Sequence, residues 1–243
     1  MKTILKILIF LLASYRILYA QEPKTYAIPL IGDKAPSFMA ESTNGPINFP
    51  SDYGRHWKIL FSHPADFTPV CSSEILELAS MQADFDKLGV KVAVISTDAI
   101  DTHYSWKKSL ESISYSGHDP VKIKFPLIED KDKQISSEYG MLHQSTFSSK
   151  DVRGVFIVDP DDRIAAIFFY PSRVGRDFDE IKRTVIALQT ADEEAVLTPA
   201  NWKPGSDVML PYLSSNQEAD GTSSSDDPTI YNLSWYMWFK KAK

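Results

Sequence analysis

Apolar and polar positions follow one another in blocks along the chain, and their spacing predicts alternating strands and helices. The apolar run from Trp57 to Phe61 predicts a buried strand that extends to Ser62. After it, Thr68 and Pro69 suit the N-cap and first positions of a helix that Gly89 ends. Apolar residues recur there every three or four positions, which predicts one buried stripe made of Ile75, Leu78, Met81, Phe85 and Leu88.

The pattern continues with further elements in the same alternating order. Strands are expected at 90–95, 125–128, 154–159 and 164–170, and helices or helical turns at 98–113, 131–140 and 177–188. Pro160-Asp161-Asp162 is typical of a hairpin turn, and Asn44-Gly45-Pro46 separates two short strand candidates. The order predicts an α/β fold in which helices flank a central mixed sheet, with parallel crossovers and one antiparallel pair.

The organisation changes near residue 190, so we expect a main domain at 21–190 and a C-terminal extension at 191–243. Residues 214–229 are rich in Ser and Asp and predict a loose loop. Residues 231–239 are densely aromatic, and an exposed aromatic terminus would favour aggregation. This terminus is therefore expected to pack on the main domain or on a partner subunit.

Residues 1–20 differ from the rest of the chain and resemble a secretory signal peptide. A basic start precedes an apolar run at 7–13, and the small residue Ala20 offers a cleavage position. The segment predicts an extracytoplasmic protein, either periplasmic or secreted. Arg16 interrupts the apolar stretch and Leu18 is large for its position, so an uncleaved anchor or an amphipathic extension stays open. A protein of that kind would be cytoplasmic or membrane-anchored.

Composition limits the classes of function. In 243 residues, a hydrophobic share of 43% is enough for a large core. A formal net charge of −6 and the lack of a long basic run count against nucleic acid as a partner. The sequence has no His, Cys and Asp cluster with the spacing of metal ligands, so we expect no metal.

Cys71 is the single cysteine of the chain, and it falls at a predicted strand-to-helix junction. Unpaired backbone N–H groups in the first helical turn favour a thiolate there. The chain cannot form an internal disulfide, so chemistry at this thiol needs an outside partner. From residue type alone, Cys71 could instead be a buried, inert cysteine. In the same way, Thr68 could simply cap the helix, and Glu74 could be only a favourable charge in the first helical turn.

The segment around this thiol resembles a known active-site loop. His63-Pro64-Ala65-Asp66-Phe67-Thr68-Pro69-Val70-Cys71 is similar to the loop of the peroxiredoxins, and its longer form resembles their one-cysteine, peroxiredoxin-6-like branch. Further segments resemble this branch in the same order, namely 151–160, 170–181 and 198–205. The resemblance spans most of residues 27–213, and it implies a thioredoxin-like fold with a C-terminal extension domain.

The resemblance also implies roles for individual residues. Cys71 would be the peroxidatic cysteine, Thr68 would hydrogen-bond the peroxide and the thiolate, and Arg153 would stabilise negative charge. Pro64 would shield the pocket from water. Three further residues would position these groups or join their charge network, namely His63, Glu74 and Arg176.

The implied activity is a thiol-dependent peroxidase that needs no metal or organic cofactor. Cys71 would attack hydrogen peroxide or an organic hydroperoxide and become a sulfenic acid, which an external thiol would reduce. The resemblance implies a homodimer as well. Some members of the branch carry a lipase serine in a Gly-Asp-Ser-Trp motif, but the matching position here is His56, so that activity is not expected.

Two other functions remain as alternatives. A redox sensor or holdase-type chaperone would use the same cysteine, but it would be oxidised once instead of turning over. A non-catalytic binding module would keep the fold alone, and the joint presence of Pro64, Thr68, Cys71 and Arg153 weighs against it.

Overall fold

The computed structural model describes residues 28–143, 149–211 and 227–242, so the predicted export segment and most of the predicted 214–229 loop lie outside the described residues. The chain forms ten strands and four α-helices over these ranges, with a short 3-10 turn at Ser51–Tyr53. They are β1 (Phe38–Ala40), β2 (Ile47–Phe49), β3 (Trp57–Ser62), α1 (Pro69–Lys87), β4 (Val90–Ser96), α2 (Ile100–Leu110), β5 (Leu127–Glu129), α3 (Gln134–Glu138), β6 (Arg153–Val158), β7 (Ile164–Tyr170), α4 (Phe178–Glu194), β8 (Val208–Met209), β9 (Ile230–Ser234) and β10 (Met237–Lys240).

The main sheet has five strands in the order β5-β4-β3-β6-β7. Strands β3, β4 and β5 are parallel, and β6 is antiparallel to both β3 and β7. The predicted mixed α/β sheet is confirmed, but the expectation of one antiparallel pair was wrong. Phe61 pairs with Val155 and Lys58 with Val158, so β6 enters the sheet beside the end of β3 and runs back along it.

Apolar side chains cover both faces of this sheet. On one face Ile59 and Phe61 of β3 belong to a buried cluster with α1, α2 and α4, and on the other face Leu60 joins a cluster with β2 and α3. A strand with both faces covered is expected to be largely apolar, which explains the run that predicted β3. Its two polar residues, Lys58 and Ser62, are buried as well, and their side chains donate hydrogen bonds to Asp162 and to Val152 O. The end of β3 is therefore a rigid base for the residues that follow it.

Helix α1 begins as the sequence predicts, with Thr68 in extended conformation at the N-cap and Pro69 at the first position. Gly89, with φ of 68°, follows the C-cap and allows the chain to turn into β4. Of the predicted stripe, Ile75, Leu78 and Phe85 are buried, whereas Met81 and Leu88 are half-buried at its edge. The stripe holds the helix N-terminus against the sheet.

Other helix boundaries differ from the prediction. Helix α2 is shorter than 98–113, because the side chain of Asp98 accepts hydrogen bonds from Asp66 N and Ser96 Oγ at the end of β4. Helix α4 runs beyond the predicted 177–188 to Glu194. Its last two turns are mostly polar and carry little apolar periodicity, although Gln189 Nε2 still donates to Leu88 O at 2.8 Å.

The C-terminal extension forms a small antiparallel sheet in the order β8-β10-β9. The aromatic terminus makes a hairpin in which the rings of Tyr231 and Phe239 stack with centroids 5.2 Å apart. Leu210 N donates to Trp238 O, which connects the hairpin to the segment after β8. The predicted boundary near residue 190 falls inside α4, and no helix in the described ranges is long and apolar enough to cross a membrane.

Candidate active site

Cys71 lies in the first turn of α1 and is fully buried. We call residues 63–68, which join β3 to α1, the active-site loop. Arg153, the first residue of β6, donates from Nη1 to Cys71 Sγ at 3.3 Å. The antiparallel return of β6 beside β3 brings these two residues together, although 82 positions separate them in the sequence.

Glu74 lies one turn after Cys71 on α1 and is buried between two guanidinium groups. Its Oε2 accepts from Arg153 Nη1 at 2.6 Å and from Arg176 Nη2 at 2.7 Å. Its Oε1 accepts from Arg176 N at 2.8 Å and from Arg176 Nε at 3.0 Å. Two cations against one carboxylate leave a net positive charge beside the sulfur.

Backbone carbonyl groups fix both arginines. Arg153 donates from Nε and Nη2 to Ser172 O, at 3.1 and 2.6 Å. Arg176 donates from Nη1 to Ser62 O and to Gly154 O, both at 2.9 Å, and its guanidinium lies 5.2 Å from the centre of the Phe61 ring. Because these carbonyl groups and Glu74 hold both guanidinium groups, the positive charges are fixed in place before any substrate arrives.

Thr68 lies within the active-site loop, but its hydroxyl donates to Ala65 O at 2.8 Å. A hydroxyl has one proton, so in this structure that proton holds the loop and does not reach the sulfur. The implied hydrogen bond from Thr68 to the thiolate is therefore not formed here. The lone pairs of the hydroxyl remain able to accept a hydrogen bond from a peroxide.

Pro64 and His63 begin the active-site loop. Pro64 is half-buried. The His63 ring is buried and packs against Trp106, with ring centroids 5.0 Å apart. Burial, followed by the electrostatic effects of the nearby His103 and Arg176, holds the pKa of His63 well below its usual value, so the ring is neutral at neutral pH.

Sequence reasoning missed several residues around this site. Ser172 contributes only a carbonyl oxygen, for which the sequence carries no signal. Ser72 directly follows Cys71 in the chain, and its Oγ accepts a hydrogen bond from Trp106 Nε1 at 3.2 Å. Asp66 and His103 form a buried contact behind the loop, and the presence of Asp66 within the loop motif was the available signal. In the described ranges no three His, Cys, Asp or Glu residues are grouped so as to hold a metal ion.

Comparison with known proteins identifies the family. The profile of the AhpC/TSA family matches residues 31–167, and the profile of the C-terminal domain of 1-Cys peroxiredoxin matches residues 187–222. A peroxiredoxin of Methanosarcina mazei is 45% identical over 215 residues, which cover 88% of this chain and 98% of that protein. The chain belongs to the 1-Cys peroxiredoxin family.

Other peroxiredoxins agree in sequence and in fold. The mitochondrial peroxiredoxin PRX1 of Saccharomyces cerevisiae is 41% identical over 220 residues, covering 88% of this chain and 81% of that protein. A structure of a yeast mitochondrial 1-Cys peroxiredoxin matches with a TM-score of 0.77 and 36% identity, over 88% of this chain and 100% of that one. A structure of peroxiredoxin 6 from Arenicola marina matches with a TM-score of 0.75 and 29% identity, over 88% of this chain and 98% of that one.

Membership of this family confirms the predicted thioredoxin-like fold and enzyme class. The protein is a thiol-dependent peroxidase that uses a single cysteine, a peroxide substrate and a thiol reductant. The alternative of a redox sensor or holdase is not favoured by these relatives. Membership of this family relates the buried arrangement of Cys71, Arg153 and Glu74 to the reduction of peroxides.

Proposed function

We propose that Cys71 is the peroxidatic cysteine and that Arg153 stabilises both its thiolate and the charge that develops on the peroxide. The contact of Arg153 Nη1 with Cys71 Sγ at 3.3 Å carries this proposal. The thiolate attacks one peroxide oxygen, forming an S–O bond as the O–O bond breaks. Hydroxide or alkoxide leaves and takes a proton from water, and Cys71 is left as a sulfenic acid.

The neighbouring residues act by holding this geometry. Thr68 accepts a hydrogen bond from the peroxide while its own hydroxyl continues to donate to Ala65 O. Glu74 orients Arg153 through a 2.6 Å hydrogen bond, and Arg176 holds the same carboxylate oxygen at 2.7 Å. Pro64 and His63, at the start of the same loop, keep water away from the sulfur. Donors that are fixed in advance stabilise a developing charge without reorganising during the reaction.

The sulfenic acid is reduced from outside, because the chain contains no second cysteine. One external thiol forms a mixed disulfide with Cys71 and releases water, and a second thiol then frees Cys71 and leaves as the external disulfide. We propose that the reductant belongs to a glutathione or thioredoxin system. The solved yeast mitochondrial 1-Cys peroxiredoxin supports this, since its structure was described in terms of resolution by these systems.

We further propose that the protein is a homodimer. In the described part of the chain, β7 lies at the edge of the main sheet, and on its outer side only Ile164, its first residue, exchanges backbone hydrogen bonds, with Gly32 and Asp33. The rest of this edge is able to pair with a second copy. Trp235 and Tyr236 are also about half exposed at the tip of the C-terminal hairpin, which offers apolar area for an interface.

Export remains a proposal from the sequence. We propose that residues 1–20 direct the protein out of the cytoplasm, because a basic start, an apolar run and a small residue before Gln21 follow the order of a signal peptide. Fractionation of producing cells and N-terminal sequencing of the protein would decide between cleavage after Ala20 and an uncleaved segment.

The catalytic proposal is tested by peroxide consumption with a panel of thiols, comparing the parent protein with Cys71→Ser. The parent should consume many equivalents of peroxide per protein with a suitable thiol. Cys71→Ser should consume none beyond background and keep the parental circular dichroism spectrum. Continued consumption by the serine variant at the parental rate would refute the proposal, and a single equivalent with every thiol would favour a sensor.

A further inference from the structure

The burial of Cys71 conflicts with its need for an external thiol. Cys71 has no exposed surface, and the active-site loop runs directly before its helix. If the proposed function is correct, a second molecule must reach this sulfur in every catalytic cycle. Part of the surroundings must therefore hold the sulfur for peroxide and then yield to a larger thiol.

Asp66 connects the middle of the active-site loop to the rest of the domain through two contacts. Its backbone N donates to Asp98 Oδ2 at 2.8 Å, and its Oδ2 lies 2.7 Å from His103 Nδ1 on α2. The side chains of Asp66 and His103 are 1% and 0% exposed. Asp98 is itself held by Lys150, whose Nζ donates to Oδ1 at 2.7 Å.

The contacts of His103 determine how many protons the pair holds. His103 Nε2 lies 3.1 Å from Ile128 O, and a carbonyl oxygen only accepts, so Nε2 donates. The short contact between Nδ1 and Asp66 Oδ2 then needs one further proton between them. Imidazolium with carboxylate and neutral imidazole with carboxylic acid both satisfy this, and both leave the buried pair with no net charge.

We propose that Asp66 and His103 are a positioning pair that keeps the active-site loop closed over Cys71 during reaction with peroxide, and whose release admits the external thiol. The pair touches neither the sulfur nor the peroxide and acts through the loop that carries Pro64 and Thr68. Removing the contact should therefore have opposite effects on the two half-reactions, which a residue that only stabilises the fold would not produce.

Loss of the shared proton should weaken the pair at alkaline pH, because the Nδ1 lone pair would then face a carboxylate. Burial raises the pKa of Asp66, in keeping with a proton that both residues share. Other charged and titratable groups lie around the pair: His63 of the loop, whose Nε2 is 3.5 Å from Asp66 Oδ1, Asp98 after β4, and Lys150 before β6.

The direct test is the rate at which a bulky maleimide alkylates reduced Cys71, beside the single-turnover rate with hydrogen peroxide. His103→Leu should speed alkylation by about tenfold or more, as expected for loss of a buried hydrogen bond to a charged group, and slow the peroxide reaction by a similar factor. Asp101→Asn, on the exposed side of the same helix, is the matched control and should change neither rate. Equal rates in folded His103→Leu and the parent would overturn the proposal.

Asp66→Asn supplies a second test that does not depend on the folding of His103→Leu. Its amide can donate to Nδ1 of neutral His103 but has no dissociable proton. Alkylation should therefore be close to parental at neutral pH, and the ratio of the parental rate to the Asp66→Asn rate should rise as pH increases. A ratio that stays flat across alkaline pH would refute a shared proton.

The alkylation measurement uses no peroxide, so it separates this proposal from the proposed function. Failure of the parent protein to reduce peroxide would refute the function and leave the alkylation comparison valid. Normal peroxide reduction together with unchanged alkylation in both variants would refute the positioning pair alone.

Discussion

Glu74 and Arg176 are joined by three hydrogen bonds, since Oε1 accepts from the backbone N and from Nε, and Oε2 accepts from Nη2. Both side chains are buried, and the same carboxylate also accepts from Arg153. The geometry of the cation beside Cys71 is therefore set by a carboxylate three residues along α1 and by a second arginine at the start of α4. This relationship makes Glu74 the residue on which the whole charge arrangement depends.

Glu74→Gln should disrupt this arrangement. Glutamine keeps one acceptor oxygen and loses the negative charge, so two buried guanidinium groups would face each other with one of their acceptors missing. Breaking a buried ion pair costs about 3 kcal/mol or more of folding free energy, and we expect a loss of that size in denaturant unfolding. Glu77→Gln on the same helix is the control, because Glu77 is half-exposed and should change stability little. Equal losses in the two variants would contradict a special role for Glu74.

Arg153→Met should lower the reactivity of Cys71 towards peroxide. The substitution keeps much of the side-chain volume and removes the donor that lies 3.3 Å from the sulfur. Removal of one preorganised donor to a developing charge typically slows a reaction by about 100-fold or more, so we expect a decrease of that order in the single-turnover rate.

A suitable control for that measurement is Arg55→Met, because Arg55 is 79% exposed and pairs only with Asp161 in the described structure. Its peroxide rate should stay parental. If the rate of Arg153→Met were also parental, Arg153 would have no part in the chemistry.

Several parts of this picture could be predicted from sequence because they depend on local patterns. Thr68, Pro69 and the apolar stripe of α1 predicted the start and orientation of the helix. The resemblance of the loop motif and of segment 151–160 to the peroxiredoxins singled out Cys71 and Arg153. The Ser172 carbonyl and the contact between Asp66 and His103 could not be predicted in this way. They depend on how β6, α2 and the segment after β7 meet in space, and residues far apart in sequence carry no periodic signal of such contacts.

Asp151→Asn should stabilise the protein at neutral pH. Asp151 is buried near Asp130, and in the described ranges neither of its oxygens is within normal hydrogen-bond geometry of a partner. Burial raises its pKa well above the usual value, and the nearby Ser136 hydroxyl offsets this only in part. Above pH 3.8, the ordinary pKa of an aspartate, Asp151 loses its proton in the unfolded state and keeps it in the folded state. The free energy of unfolding of the parent therefore falls as the pH rises from 3.8 to the raised pKa of the folded state. An asparagine has no proton to lose and avoids this penalty.

Denaturant unfolding of the parent and of Asp151→Asn at several pH values measures the effect. The gain in free energy of unfolding should be absent near pH 3, where Asp151 is protonated in both the folded and the unfolded parent. The gain should grow towards neutral pH. Asp132→Asn, at an exposed position, should show no such growth. A difference between the parent and Asp151→Asn that does not depend on pH would show that Asp151 is not a buried neutral acid.

Truncation after Ser215 should weaken dimerisation and leave the chemistry of Cys71 qualitatively present. It removes β9 and β10, so β8 loses its strand partner. Val208 of β8 belongs to a small buried cluster with Ala187 and Trp202. Burial of one large apolar side chain contributes about 2 kcal/mol, so exposure of this cluster should reduce solubility.

Light scattering and a peroxide assay on the truncated protein separate these effects. The double variant Trp235→Ser/Tyr236→Ser is the matched control, because it keeps the hairpin and removes only the two aromatic side chains exposed at its tip. If the tip forms part of the dimer interface, the double variant should dissociate as the truncated protein does while remaining soluble. A stable, soluble dimer after truncation would show that the hairpin contributes nothing to assembly, and loss of peroxide reduction with intact main-domain structure would show that it contributes to the site.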